Sequence, residues 1–249
     1  MLILAGGSVA TEPARKFVLF GGLHLFILGT TIVLPFAMSR FTRRDRRPRL
    51  ARILAAALAV VLLSDRIFAV ALGYHEHRIT RWADALPMHL CDWASIAVII
   101  TLVWRRQLLY ELAYFWGLAG TLQAVLTPDL AEQFPNPFFI SFFVEHCGII
   151  VGVLFMTWGL GMRPRPGAVW RVFLWTQFYV VCAAGVNWTF ATNYGYLTHK
   201  PVHSSLLDYF GPWPWYILSL EGLAVVLYTI LYLPFWAGCR TASASWDRE

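Results

Sequence analysis

Charge is scarce in this sequence. Of its 249 residues only 14% are Asp, Glu, Lys or Arg, against about 25% in a soluble domain, so an ordinary water-facing surface cannot be built. Lysine is nearly missing. Lys16 and Lys200 are the only two, neither lies in an apolar run, and a retinal-type Schiff base inside a helical bundle is therefore excluded. The chain also lacks the period-2 alternation of barrel strands, any internal repeat, any low-complexity linker and any stretch left over for a soluble domain. Its four cysteines, Cys91, Cys147, Cys182 and Cys239, show neither zinc-finger spacing nor the framework of a secreted mini-protein, so no structural zinc and no obligatory disulfide are expected. The opening MLILAGGSVATEPARK has no signal-peptide pattern, and the first apolar run is expected to be retained.

What is present is hydrophobicity, at 58% of residues. Apolar runs of about 20 residues, each long enough to cross a hydrocarbon core, recur with short polar breaks, and inside lipid such runs must be helices. The pattern predicts an all-α bundle of seven transmembrane helices at 17–39, 50–72, 86–104, 108–126, 138–160, 168–190 and 213–237, forming one domain over 1–249. The formal charge of +6 sits in loops, which excess positive charge on cytoplasmic loops explains better than nucleic-acid binding. Arg40, Arg43, Arg44, Arg46, Arg47, Arg49 and Arg52 flank the first connection, Arg105 and Arg106 the third, and Arg163, Arg165 and Arg171 the fifth. These loops read as cytoplasmic, which puts the N-terminus outside and the C-terminus inside, against the minor counter-signal of Arg15 and Lys16. A multi-pass protein of a bacterial inner membrane is expected.

Polar groups are costly within a membrane, so their placement is informative. On this topology Asp65, Arg66, His89, Cys91, Asp92, Gln123, Thr127, Glu145, His146, Asn187, Thr192, Asn193, Trp213, Tyr216 and Glu221 all fall in the outer half. Singly, each reads as an interhelical hydrogen bond or an interfacial aromatic. Together they predict an outward-opening pocket. Asp65, Asp92, Glu145 and Glu221 set four acids against Arg66, an arrangement that admits a cation or a proton, although no metal and no cofactor is assigned. His75-Glu76-His77 reads as a solvated turn. Cys91 and His146 are candidates for a nucleophile and its general base, since a buried thiol needs such a neighbour to react. His89 is spaced to bond Asp92. With Pro87 opening the third helix, Cys91 falls beyond its first turn, where the helix dipole gives little help.

LPMHLCDW at 86–93, YFWGLAGTLQAVLTPDL at 114–130, the EHCG around His146, NW at 187–188, TNYGYL at 192–197 and GPWPWY at 211–216 together resemble the YwaF-like integral membrane proteins of bacteria, from about Arg52 to Phe235. That family is similar to the eukaryotic transmembrane protein 164, a phospholipid acyltransferase whose motif pairs a cysteine with a histidine. The resemblance implies Cys91 as nucleophile, His146 as base and membrane phospholipids as partners. Around them Arg66 is expected to attract a phosphate, and Asn187, Asn193 or Gln123 to donate to an oxyanion. His89, Asp92, Trp213, Tyr216 and Glu221 complete the expected substrate-binding set. A transporter or ligand-binding protein, whose acids, Arg66 and histidines hold a solute, cation or proton, is the alternative from another class. A structural helper without chemistry is the third.

Overall fold

The computed structural model describes residues 18–42, 47–128, 130, 132–200 and 206–246. Arg15, Lys16, Arg43, Arg44 and Arg46, which entered the topology argument, lie outside these residues, as do both chain ends. Among the described residues there is no strand. The long helices are α1 (Gly22–Thr42), α2 (Pro48–His75), α6 (Pro137–Trp158), α7 (Ala168–Phe190) and α8 (Trp215–Trp246). All five are long and apolar enough to cross a membrane, and the shorter α3 (Leu90–Trp104) is also apolar.

The run expected as one helix over 108–126 is continuous but not uniform. It consists of α4 (Gln107–Phe115), a π-helical turn (Trp116–Thr121) and α5 (Leu122–Leu126). Gly117 and Gly120 lie in that turn, where they weaken regular α-helix. A side chain at Gly117 would press on Ile149 of α6 at 3.1 Å, so the turn packs close to its neighbour. Trp116 is buried there and its Nε1 donates to Thr176 Oγ1 of α7 at 2.9 Å.

Local signals set several helix ends. Pro137 opens α6, and Asn136 Oδ1 accepts the Phe138 N–H at 2.8 Å, satisfying an amide that has no partner within the helix. Arg105, in the left-handed region at φ 53°, closes α3. Only Arg105 and Arg106 separate α3 from α4, so the two run antiparallel.

Helix α2 hides small residues and shows large ones. On α2 Ala51, Ala55, Ala59 and Leu62 are buried at helical spacing, while Ile53, Val60, Val61, Leu63, Ile67 and Phe68 are exposed. In water this would be an inverted surface. In lipid, where no hydrophobic force separates helix from solvent, small residues at the contacts let backbones approach. A Cβ at Gly148 of α6 would lie 2.6 Å from Leu62 of α2, and one at Gly152 would lie 2.6 Å from Val98 of α3. A side chain at either position would have to push its neighbour aside, and glycine lets α2, α3 and α6 approach closely.

One ion cluster closes the end of the bundle where α4 begins. Glu111 of α4 is 0% exposed. Arg165 binds it through Nε at 2.9 Å, Nη2 at 3.2 Å and its backbone N–H at 3.0 Å. Arg171 adds Nε at 2.8 Å and Nη2 at 3.3 Å, and Gln107 Nε2 adds a contact at 3.3 Å. The arginines expected only as loop charge therefore also clamp a buried acid.

Candidate functional site

At the opposite end of the same helices a second polar cluster forms, and the small-residue stripe produces it. Along α6, Ser141, Glu145, Gly148 and Gly152 follow one another at spacings of four, three and four residues, so they share one face. The glycines bring that face against α2 and α3, which places Ser141 and Glu145 beside Asp65, Arg66, Cys91 and Asp92. Arg66 Nη1 lies 2.5 Å from Asp92 Oδ1, with the Arg66 side chain 31% exposed and that of Asp92 2% exposed. Ser141 Oγ donates to Asp65 Oδ2 at 3.1 Å. The Cys91 sulfur and a carboxylate oxygen from each of Asp92 and Glu145 lie within 4.8 Å of one another. The other oxygen of Asp92, Oδ2, accepts the His89 backbone N–H at 2.8 Å. Glu145 differs, because its Oε1 is buried with no hydrogen-bond partner.

The hydrogen bond from His89 to Asp92 also fixes where α3 starts. The expected helix beginning at Pro87 is corrected: His89 is the N-cap and Leu90 the first helical residue. Asp92 is then the third residue and returns a bond to the cap, as acidic residues at that position do. Cys91 consequently lies in the first turn, not beyond it, where the helix dipole favours negative charge. The carboxylates beside it oppose such a charge.

His146 follows Glu145 on α6 and is 7% exposed. Its Nδ1 lies 2.7 Å from the Phe142 carbonyl and its ring stacks on Phe142 at 4.2 Å. A carbonyl only accepts, so Nδ1 carries the proton and Nε2 is left as the acceptor. Among the described residues nothing bonds Nε2. His146 is within electrostatic reach of His89, as Glu145 is of Asp65, Arg66 and Asp92.

The remaining expected site residues mostly build the neighbouring loops. Asn187 is buried. Its Oδ1 accepts from Thr192 Oγ1 and Tyr194 N–H, both at 2.8 Å, and its Nδ2 donates to the Tyr194 carbonyl at 2.9 Å. Asn193 folds the next turn by accepting from Thr198 and donating to the His199 carbonyl at 2.8 Å. Trp213 Nε1 donates to the Leu197 carbonyl at 3.0 Å, and the Tyr216 hydroxyl donates to the Tyr196 carbonyl. These four residues fasten a loop whose Tyr194 and Tyr196 rings pack on His89 at 4.9 and 6.3 Å. Glu221 accepts from Gln177 Nε2 at 2.5 Å, joining α8 to α7. Gln123 is exposed on α5. Two surface depressions, one lined by Arg47, Pro48, Arg49 and Leu50 and one by Phe26, Gly29, Thr30, Val33, Leu34 and Ala37, share no residue with the polar cluster.

Asp65 and Glu145 were placed in the expected polar set without a catalytic or substrate-binding role, and Ser141 was not singled out at all. Its signal was there, in the spacing of Ser141 and Glu145 with the α6 glycines.

A family model described as TMEM164 family matches residues 19–232. The chain belongs to the TMEM164 family. The match begins within a few residues of α1, ahead of the segment where motif resemblance starts, and it contains every residue of the polar cluster. A protein of Treponema pallidum (strain Nichols), described as uncharacterized, is 28% identical over 228 residues, covering 88% of this chain and 90% of the relative. No solved structure matches the chain. TMEM164 family membership accords with a multi-pass, lipid-related membrane protein.

Proposed function

We propose that this protein transfers acyl groups between membrane lipids, with Cys91 as nucleophile and His146 as the base that activates it. The observation that carries this reading is that the Cys91 thiol lies in a cluster of ionisable groups inside an apolar bundle. A cysteine serving only as packing sits among hydrocarbon. The YwaF-like motifs and the cysteine-histidine pair of the eukaryotic relative supply the reaction class. In the first half-reaction the thiol proton passes to His146 Nε2 and the sulfur attacks an ester carbonyl of a phospholipid. The carbon-oxygen bond breaks, and the imidazolium returns its proton to the departing lyso-lipid alkoxide. In the second, a lyso-lipid hydroxyl attacks the thioester and frees the thiol. Arg66 engages Asp92 through Nη1 while its side chain remains partly exposed, which suits a guanidinium that also meets a lipid phosphate. The topology belongs to the same reading: seven crossings, with α4, the π turn and α5 as one of them, the Cys91 end outward and the C-terminus cytoplasmic.

The direct test gives purified protein in nanodiscs a phospholipid labelled in one acyl chain together with a lysophospholipid. Label is expected on Cys91 as a thioester and then on the acceptor, and Cys91→Ser is expected to abolish both. Transfer at the wild-type rate by Cys91→Ser would overturn the mechanism. A reporter fused after Glu249 is expected to read cytoplasmic and one inserted near Asp129 external; the reverse would place the site on the other leaflet. The alternative of solute or proton transport is favoured by the surplus of carboxylates around Arg66, and uptake that survives Cys91→Ala would select it.

A further inference from the structure

The second half-reaction needs a group to take the proton of the incoming hydroxyl, and the acids around Arg66 are not equivalent candidates. Asp92 has both oxygens engaged, Oδ1 by Arg66 and Oδ2 by the His89 N–H. Asp65 accepts from Ser141. Glu145 alone among them presents a buried oxygen that no donor meets, and its carboxylate lies within 4.8 Å of the Cys91 sulfur. A buried acceptor without a donor costs about 1–3 kcal/mol. A packed bundle keeps such a group at a cost unless something with an O–H or N–H comes to it. Any hydroxyl attacking a thioester on Cys91 must arrive within bonding distance of the carbonyl carbon attached to that sulfur, which is where the Glu145 carboxylate already stands.

We propose that Glu145 is the general base of the second half-reaction, taking the proton of the lyso-lipid hydroxyl as it attacks the Cys91 thioester. This rests on the acyl-transfer reading and adds a residue and a division of labour to it. The hydroxyl proton moves to Glu145 Oε1, the new carbon-oxygen bond forms, and the carbon-sulfur bond breaks. The departing sulfur then recovers the proton from Glu145, which restores both groups. His146, with its proton held on Nδ1 by the Phe142 carbonyl, serves the first half-reaction through Nε2.

The two halves can be separated. Wild-type, Glu145→Gln, Glu145→Asp and Cys91→Ser proteins in nanodiscs receive labelled phospholipid first and lysophospholipid afterwards, and the Cys91 thioester is quantified by its release with hydroxylamine. Glu145→Gln is expected to load label at the wild-type rate but to discharge it to the acceptor about 100-fold more slowly, so that acyl-enzyme accumulates. The acidic limb of the wild-type pH profile for discharge is expected to vanish in this variant. Glu145→Asp, which keeps the acid one methylene further back, is expected to discharge at an intermediate rate. Discharge by Glu145→Gln at the wild-type rate would assign both halves to His146 and overturn the proposal. So would a Glu145→Asp rate no better than that of Gln in a protein of unchanged melting temperature, or failure of Glu145→Gln to load. If the wild-type protein forms no thioester at all, the acyl-transfer reading itself falls, and this inference with it.

Discussion

Glu111 and Glu145 are both glutamates held inside one helical bundle, at opposite ends of it, and their surroundings differ in kind. Glu111 receives six N–H contacts from Gln107, Arg165 and Arg171. Glu145 shares a single arginine with Asp65 and Asp92 and keeps one oxygen bare. A saturated acid has no capacity left for a ligand, so Glu111 itself reads as a structural anchor. An unsaturated one destabilises the resting protein and gains its donor when something binds, the pattern of a site that trades stability for chemistry. Burial alone does not separate the two roles; the ratio of donors to acceptors does.

The comparison makes opposite demands on stability and activity at the two ends. Replacing Arg165 and Arg171 together by Ala strands the Glu111 charge. It is expected to cost about 3 kcal/mol, the low end of the range for a broken buried pair because the arginine heads are partly in water. Unfolding in detergent measures this, and acyl transfer per folded molecule should be unchanged; a lost activity at full stability would give that end a role in chemistry. Gly152→Val should cost about 2 kcal/mol by forcing α6 from Val98. It should also lower transfer without touching a polar group, because the same approach holds the Cys91 cluster together. Glu145→Leu is expected to raise stability by about 1 kcal/mol as the bare oxygen disappears, while transfer is lost. A marked fall in melting temperature would mean that Glu145 is bonded after all and would erase the contrast with Glu111.

The smallest effect concerns an exposed pair. Arg81 bonds Asp84 at 2.7 and 3.1 Å, and that hydrogen bond holds the Asp84 carboxyl below its ordinary value of 3.8. The pair's contribution is fully present above about pH 4 and is lost as the pH falls through the lowered value. The acid limb of a stability curve for Asp84→Asn should therefore differ from wild type only slightly, and only at the acid extreme.

The helical class was legible because lipid leaves so few options: apolar length and missing alternation suffice, and all seven expected runs overlap helices. The irregularities were not legible. Nothing in WGLAGT separates a π turn from an α turn, since both satisfy the backbone and the choice depends on the neighbours at Ile149 and Thr176. The start of α3 was misjudged because Pro87 is a common helix opener; the spacing of His89 and Asp92 was noted, but not that the bond runs from the His89 backbone N–H, which makes His89 the cap. Of the site, the convergence of Arg66, Cys91 and Asp92 with helix α6 follows from their depth. That a Glu145 carboxylate oxygen lies within 4.8 Å of the thiol does not, because depth alone leaves open which face of α6 is turned toward α3. Asn187, Asn193, Trp213 and Tyr216 drew attention as polar groups near a site, yet polar residues at a helix end more often satisfy the loop that follows, as these do.

The π turn at Trp116–Thr121 has a consequence for reading relatives of this chain. A π turn carries one residue more than regular α-helix needs, so deleting a single residue from it would let the helix run on as α without turning what lies beyond. The Val125 carbonyl, which meets His24 Nε2 at 2.8 Å, would keep its place against α1. A one-residue gap at this place in an alignment of homologues is therefore not noise to be smoothed. It marks lineages in which the turn has closed up, and His24 should persist on both sides of the gap.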